Sequence, residues 1–375
     1  MQFEKLLNVC NVYQPKTIST KNLISDGKYF VYGANGIIGR YNEYNHENAE
    51  VLLTCRGATC GNVNMSKPFS WINGNAMVVT PKNKTEIDKK YLAYCLMSVN
   101  KDTIITGTAQ PQITRTNLVN FEIPICELPE QQRIVAKIEE LFAELDNSVA
   151  MLKKVKEQLE VYSKSELMTL FKKIDGCEIQ LLPNISKEIK VGIVVKPSAF
   201  YTDATDGIRA FRSANIREFF IDDNDWVYLS REGQLKHKRT IVHKGDVLIV
   251  RSGYPGTACV VSEEFDGCNA IDVLIVVPDT SKILSEYLCA YFNSPIFRQF
   301  VLGKKRGVAQ AHLNVGVISK VEILVPKMSV QKEIVKCVGE ILKFRERLSG
   351  IVDYSLQQAD ALRQSILKKA FEGEL

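Results

Sequence analysis

Two groups of side chains in this 375-residue sequence have the chemistry of nucleic-acid contact. Lys236-His237-Lys238-Arg239 and Lys304-Lys305-Arg306 are basic clusters, and Arg209, Arg212, Asn215 and Arg217 crowd one segment around Phe211. Lysine and arginine pair with phosphates, while arginine, asparagine and glutamine have the planar groups that read guanine and adenine edges. A second group, Gln110-Pro-Gln112-Ile-Thr-Arg115, has a counterpart in Gln310-Ala-His312-Leu-Asn314. Any one such cluster can be an ordinary solvated surface. Their occurrence in both halves of the chain points to a shared binding face.

Catalytic and metal chemistry find no comparable seat. Gly33-Ala-Asn-Gly-Ile-Ile-Gly39 has the wrong spacing for a dinucleotide loop, and no helix of apolar period follows it. Neither a Gly-x-x-x-x-Gly-Lys-Ser/Thr loop nor a His-Glu-x-x-His motif is present. His46, His237, His243 and His312 are far apart, and Asp222-Asp223-x-Asp225 lacks the glycine and distant glutamate of a calcium loop. The sequence therefore predicts a non-enzymatic protein without cofactor or metal.

Composition sets the scale on which these residues must be held. With 48 basic and 43 acidic residues, 45% hydrophobic and 24% charged, the chain is neither disordered nor fibrous. Its length predicts two or three domains. No apolar run approaches the ~20 residues of a membrane helix. Met1-Gln-Phe-Glu-Lys5 does not begin a secretory signal, so a cytoplasmic protein is expected. The ten cysteines never form Cys-x-x-Cys and read as reduced, mostly buried thiols.

The elements that must position the candidate residues are given by an internal repeat. An offset of 200 aligns Gly107, Ala109 and Gln110 with Gly307, Ala309 and Gln310. The same offset carries Gln131, Ile134 and Glu140 onto Gln331, Ile334 and Glu340, and Phe171 onto Phe371. Upstream, offsets of 195 to 196 pair Arg56 with Arg251 and Tyr91-Leu92 with Tyr287-Leu288. The matched segments carry apolar residues at alternating steps of four and three, the a/d seam of a coiled coil. The predicted seam includes Ile138, Leu141, Leu145, Leu152 and Leu159 in one copy, and Val338, Ile341, Leu348, Val352 and Leu362 in the other. Helices are expected at about 130–173 and 330–371. Each spans roughly 66 Å, longer than a globule needs for its own core. Short β-branched runs such as Asp246 to Val250 and Val273 to Val277 predict mixed sheet ahead of each helix. The predicted fold is α+β: two pseudo-two-fold-related globular domains joined by two long helices that pair as an antiparallel coiled coil. The expected segments are 1–128, the helix 129–175, 176–327 and the helix 328–375. Two unlike modules on a long strut suit duplex DNA; a scaffold binding protein or carbohydrate explains the helices but not the paired basic loops.

Three stretches resemble the specificity subunits of type I restriction-modification systems. They are Gln110-Pro-Gln-Ile-Thr running into Phe121-Glu-Ile-Pro-Ile125, Leu128-Pro-Glu-Gln-Gln-Arg-Ile-Val-Ala-Lys-Ile-Glu-Glu-Leu-Phe142, and Leu362-Arg-Gln-Ser-Ile-Leu-Lys-Lys-Ala-Phe-Glu-Gly-Glu-Leu375. In layout the resemblance covers the whole chain. It extends to Tyr32-Gly-Ala-Asn-Gly-Ile-Ile-Gly-Arg40-Tyr41 and Leu53-Thr-Cys-Arg56-Gly57. The resemblance implies two target-recognition domains reading the halves of a bipartite double-stranded DNA site. It also implies helices that bind two methyltransferase subunits, restriction subunits in the larger complex, and no chemistry in the subunit itself. With Arg40, Arg56 and Arg251 added, the candidate DNA contacts are those named above, from Gln110 to His312. Ala311-His312 stands where the first module has Pro111-Gln112, and Phe211 to Arg217 differs from Val31 to Ile37. Unlike reading surfaces predict unlike half-sites, and hence a target that is not a palindrome.

Overall fold

A computed structural model describes the chain except residues 84–85, 108, 173, 175, 196 and 304–312. The first half runs β1 (Gln2–Lys5), α1 (Leu6–Val9), β2 (Cys10–Tyr13), β3 (Tyr29–Gly33), β4 (Gly36–Tyr41), β5 (Val51–Thr54), β6 (Val63–Met65), β7 (Trp71–Ile72) and β8 (Ala76–Pro81). It continues with α2 (Lys89–Ser98), β9 (Glu122–Ile125) and the long helix α3 (Leu128–Lys172). The second half runs β10 (Glu178–Leu181), β11 (Ser186–Val191), β12 (Tyr201–Thr202), β13 (Ile208–Phe211), β14 (Val227–Leu229), α4 (Arg231–Lys236), β15 (Val247–Val250), β16 (Ala258–Val260), β17 (Asn269–Ala270) and β18 (Val273–Pro278). Then come α5 (Ser285–Asn293), α6 (Pro295–Gly303), α7 (Val315–Ile318), β19 (Glu322–Val325) and the long helix α8 (Met328–Glu372). The predicted long helices are thus present, 45 residues each. Gly339 and Gly350 do not interrupt α8.

The chain divides into two compact units. The first lobe is Met1–Lys153 with Asp353–Leu375, and the second is Lys154–Val352. Each lobe therefore takes the beginning of one long helix and the end of the other. In the first lobe the main sheet has the order β2-β8-β5-β6, with β4-β3-β7 and the pair β1-β9 beside it. The second lobe repeats this plan as β11-β18-β15-β16, β12-β14-β13-β17 and β10-β19.

Apolar side chains of β5, β8 and α2 close the first core, where Leu53, Val79, Leu92 and Leu96 are buried with Ile134, Ile138 and Phe142 of α3 and Ile366, Leu367 and Ala370 of α8. In the second core, Ile249, Val276 and Leu288 bury with Leu167 and Phe171 of α3 and Ile334 and Val338 of α8. Each such aliphatic side chain contributes roughly 1.5–3 kcal/mol when fully buried. One aromatic pair recurs in both lobes. Phe371 packs on Tyr91 with ring centroids 5.2 Å apart, and Phe171 packs on Tyr287 at 5.5 Å.

A buried glutamine ties the start of each long helix to the loop before the short helix. Gln131 accepts from Asp88 N–H at 2.9 Å, and its amide donates to Glu86 O and Cys126 O, both at 2.8 Å. Gln331 accepts from Leu284 N–H and donates to Lys282 O and Pro326 O, all at 2.9 Å. Both side chains are fully buried. Every hydrogen-bonding site used here replaces one that water would fill, so the loop and the helix cannot separate without leaving buried polar groups unpaired.

Within each lobe the two helix stretches run antiparallel. In the first, Arg363 pairs with Asp146 and Arg133 donates to the Leu375 carbonyl. In the second, Arg345 pairs with Glu160 at 3.8 Å and Tyr162 meets Phe344 at 6.2 Å. Of the predicted seam, Ile138, Leu145, Leu159, Val338 and Val352 are buried, and Leu141, Leu152, Ile341 and Leu348 are half-buried. Leu362 is a correction. It is 50% exposed, because the seam has moved on by one residue to Arg363, whose guanidinium lies 4.4 Å from the Phe142 ring. A helix of 3.6 residues per turn drifts against a strict seven-residue repeat, and the long stem of an arginine can fill the seam position.

Burial rather than pairing describes the cysteines. All ten are free thiols; desolvation pushes Cys10 and Cys259 up to about 12 and Cys268 up to about 11. Among the described residues no helix is long and apolar enough to cross a membrane, and no group of three His, Cys, Asp or Glu could hold a metal ion.

Candidate nucleic-acid interface

In the first lobe two loops meet beside the end of β5. The first is the β5–β6 turn, in which Gly61 N–H donates to Thr54 O at 2.9 Å. Gly57 and Gly61 hold it at φ +91° and +92°, a region that β-carbon-bearing residues rarely enter. The second is the hairpin from Thr106 to Gln112, closed by paired backbone hydrogen bonds of 2.9 and 2.8 Å. The loops are fastened together, because Ile113 N–H donates to Cys55 O and Gly57 N–H to Pro111 O, both at 3.0 Å.

This frame brings together three of the residues singled out from sequence. Arg56, Gln112 and Arg115 line one cleft of about 370 Å³ with Tyr13 and Gln14. All three are exposed. Neither arginine has a carboxylate partner among the described residues, so two unneutralised cations share the cleft with a planar amide. Gln110 is exposed on the hairpin tip. Arg40 is exposed on β4, where its guanidinium lies 4.4 Å from the Phe30 ring and Nη1 donates to Gly27 O at 3.2 Å. Lys67, which sequence reasoning passed over, approaches the same ring at 4.8 Å. No local motif marks it; only the fold brings it to Phe30.

The second lobe treats its cations differently. Arg209 lies 3.4 Å from Asp223 and 3.8 Å from Glu264, over the rings of Trp226 and Phe265. Arg212 pairs with Asp225 at 3.0 Å, and Arg217 with Asp222 at 2.9 Å. Hydrogen bonds from Asn224, and then the Arg217 guanidinium, hold the Asp222 carboxyl below the usual carboxylate range. The acidic run considered as a metal loop therefore serves as a set of counter-ions. Lys236 lies 4.8 Å from the Phe200 ring, while Lys238 and Arg239 are exposed without a carboxylate partner among the described residues. Lys304, Lys305, Arg306, Gln310 and His312 lie outside the described residues.

Two sequence expectations are overturned by burial. Asn215 is fully buried: its Oδ1 accepts from Arg212 N–H at 3.0 Å, and its amide donates to Asn224 O at 2.8 Å and Asp222 O at 3.3 Å. It shapes the loop and presents nothing to a ligand. Arg251 is 7% exposed, its Nε donating to Leu313 O at 3.1 Å and its Nη1 to Asp272 at 2.6 Å. Strand register explains why it is not the counterpart of Arg56. Leu53 faces Met77 and Val63 across the sheet, and Ile249 faces Leu274 and Ala258, so Leu53 corresponds to Ile249. Two residues on, Cys55 corresponds to Arg251, and each carbonyl accepts from the matching residue 113 or 313. Arg56 therefore corresponds to Ser252. A slip of one residue along an extended chain exchanges the inner face for the outer one.

The family model described as type I restriction modification DNA specificity domain matches residues 1–161 and 208–346. This chain belongs to that family. It is 25% identical over 305 residues to the EcoBI type I restriction enzyme specificity subunit of Escherichia coli, covering 75% of this chain and 63% of that one. To the EcoKI specificity subunit of E. coli strain K12 it is 27% identical over 309 residues, covering 74% and 63%. The chain thus spans less than two thirds of the length of these relatives. A solved chain of a type I R-M system superimposes with a TM-score of 0.72 at 19% identity, over 100% of this chain and 98% of that one. The fold expected from the repeat is the fold of that structure.

Proposed function

We propose that this family member recognises a specific, asymmetric, bipartite sequence in double-stranded DNA, one half-site per lobe. Segments 1–128 and 176–327 act as the target-recognition domains, and the helices at 129–175 and 328–375 carry two methyltransferase subunits. Restriction subunits join the full complex, in which adenine methylation and cleavage belong to the partners and this chain contributes recognition alone. The observation that carries the reading is the Arg56–Gln112–Arg115 cleft. Two cations with no counter-ion among the described residues can neutralise phosphates, and the amide in the same cleft can pair with a base edge. The family membership and the unlike dressing of two equivalent frames support the same conclusion. The test is a salt series of DNA binding by the assembled methyltransferase complex. Affinity for the cognate site is expected to fall steeply with salt, and a pool of unrelated duplexes to bind at least ~1000-fold more weakly. Equal binding to cognate and unrelated duplexes at every salt concentration would contradict the proposal.

A further inference from the structure

The turn after β15, Ser252-Gly-Tyr-Pro-Gly256, stands on the same backbone frame as the turn after β5. Gly253 and Gly256 adopt φ +83° and +96°, matching Gly57 and Gly61 at the two ends of the first-lobe turn. Gly256 N–H donates to Val250 O at 3.0 Å, as Gly61 N–H does to Thr54 O at 2.9 Å. A later loop residue fastens both frames alike, through Leu313 N–H to Arg251 O at 3.1 Å and Ile113 N–H to Cys55 O at 3.0 Å. With Gly253 matched to Gly57, Tyr254 occupies the position of Ala58.

From this juxtaposition we infer that Tyr254 is a specificity-determining residue of the second lobe and contacts the DNA half-site that this lobe reads. The inference rests on the DNA-recognition reading above and adds a residue that the basic clusters did not reveal. Tyr254 is 80% exposed, the most exposed aromatic side chain in the chain's described part. Its hydroxyl has no hydrogen-bond partner among the described residues. Pro255 fixes its own φ and confines Tyr254, the residue before it, to extended backbone, so the ring is held out with less backbone freedom to lose on binding. Tyrosine combines a flat apolar face with a polar tip, which suits stacking on a sugar or base and hydrogen bonding to its edge.

The surroundings of the ring fit that role. Tyr254 borders a cleft of about 510 Å³ whose other walls include Ser213, Arg217, Glu218 and Arg298. Arg298 is held by Glu218 at 3.0 Å, and Arg217 by Asp222 at 2.9 Å. Both arginines are thus aimed before any phosphate arrives, and both are partly exposed. The first lobe places Arg56 and Ala58 on the frame where the second places Ser252 and Tyr254. The same scaffold therefore offers a cation in one lobe and an aromatic ring in the other, which gives the two lobes different base preferences.

The experiment compares the assembled methyltransferase complex carrying wild-type chain, Tyr254→Phe or Tyr254→Ala. Each is assayed by competition against duplexes altered base by base in either half-site, with thermal unfolding as the control for folding. The expected result for Tyr254→Ala is a loss of about 10-fold or more in cognate affinity, with discrimination relaxed at one half-site and unchanged at the other. Tyr254→Phe separates the contributions: relaxed discrimination assigns the hydroxyl, and retained discrimination assigns the ring. Wild-type recognition with both variants indistinguishable from it overturns the inference while leaving the DNA reading intact. A wild-type complex that shows no site-specific binding overturns the DNA reading itself, and the inference with it.

Discussion

The first lobe leaves Arg56 and Arg115 beside a cleft with no counter-ion among the described residues, whereas the second pairs Arg209, Arg212 and Arg217 with the aspartates at 222, 223 and 225. The two lobes share the same strand order and the same fastening of the turn after the central strand, and differ in the length of that turn and in the side chains they place around it. A basic residue in sequence thus has no fixed meaning for binding. An unneutralised arginine is attracted to any phosphate. A paired one must exchange partners, which is inexpensive here because half-exposed ion pairs contribute only ~0–1 kcal/mol. The second lobe therefore gains orientation from its pairs and loses raw attraction.

The comparison breaks most visibly where the lobes are alike. Gln131→Leu and Gln331→Leu should each destabilise the fold by on the order of 3 kcal/mol, since each strands one backbone N–H and two carbonyls in the interior. Chemical denaturation of both variants checks this, and a change of under about 1 kcal/mol in either would remove the proposed fastening. Phe171→Ala should follow closely at about 3 kcal/mol, and Phe371→Ala, less deeply buried, should cost less.

Where the lobes differ, the expected effects separate stability from binding. Arg251→Ala should cost about 2 kcal/mol of stability, because the Leu313 carbonyl loses its buried donor. Arg56→Ala should leave stability within about 0.5 kcal/mol and lower cognate DNA affinity by about 10-fold at one half-site. A reversal of these two profiles would restore the pairing of Arg56 with Arg251. The smallest effect belongs to the counter-ions. Asp222→Asn with Asp225→Asn should raise affinity for unrelated DNA a few-fold and steepen the salt slope by about 0.9 for each added phosphate contact. An unchanged slope would show that Arg212 and Arg217 stay away from phosphate.

The same particulars show what was legible in the sequence. Both long helices were, since apolar spacing is a local property, and so was the repeat through Gln131 and Gln331. Leu362 misled because the seam drifts within a long helix and Arg363 takes its place. Arg251 misled because the turn from Thr54 to Gly61 is one residue longer than that from Val250 to Gly256, so matching identical letters shifted the alignment off the strand register. Asn215 misled because an amide that reads adenine and one that fastens a loop are the same group. Tyr254 carried a readable signal, a lone aromatic between turn-forming residues, but its exposure is a property of the fold.

Two lobes fastened alike and dressed with unlike side chains should read two unlike half-sites. Sequencing the methylated adenines in DNA modified by the assembled wild-type complex tests it most directly. The expected result is one bipartite motif with different sequences on either side of an unread gap. A continuous motif, or two half-sites related as a palindrome, would contradict it.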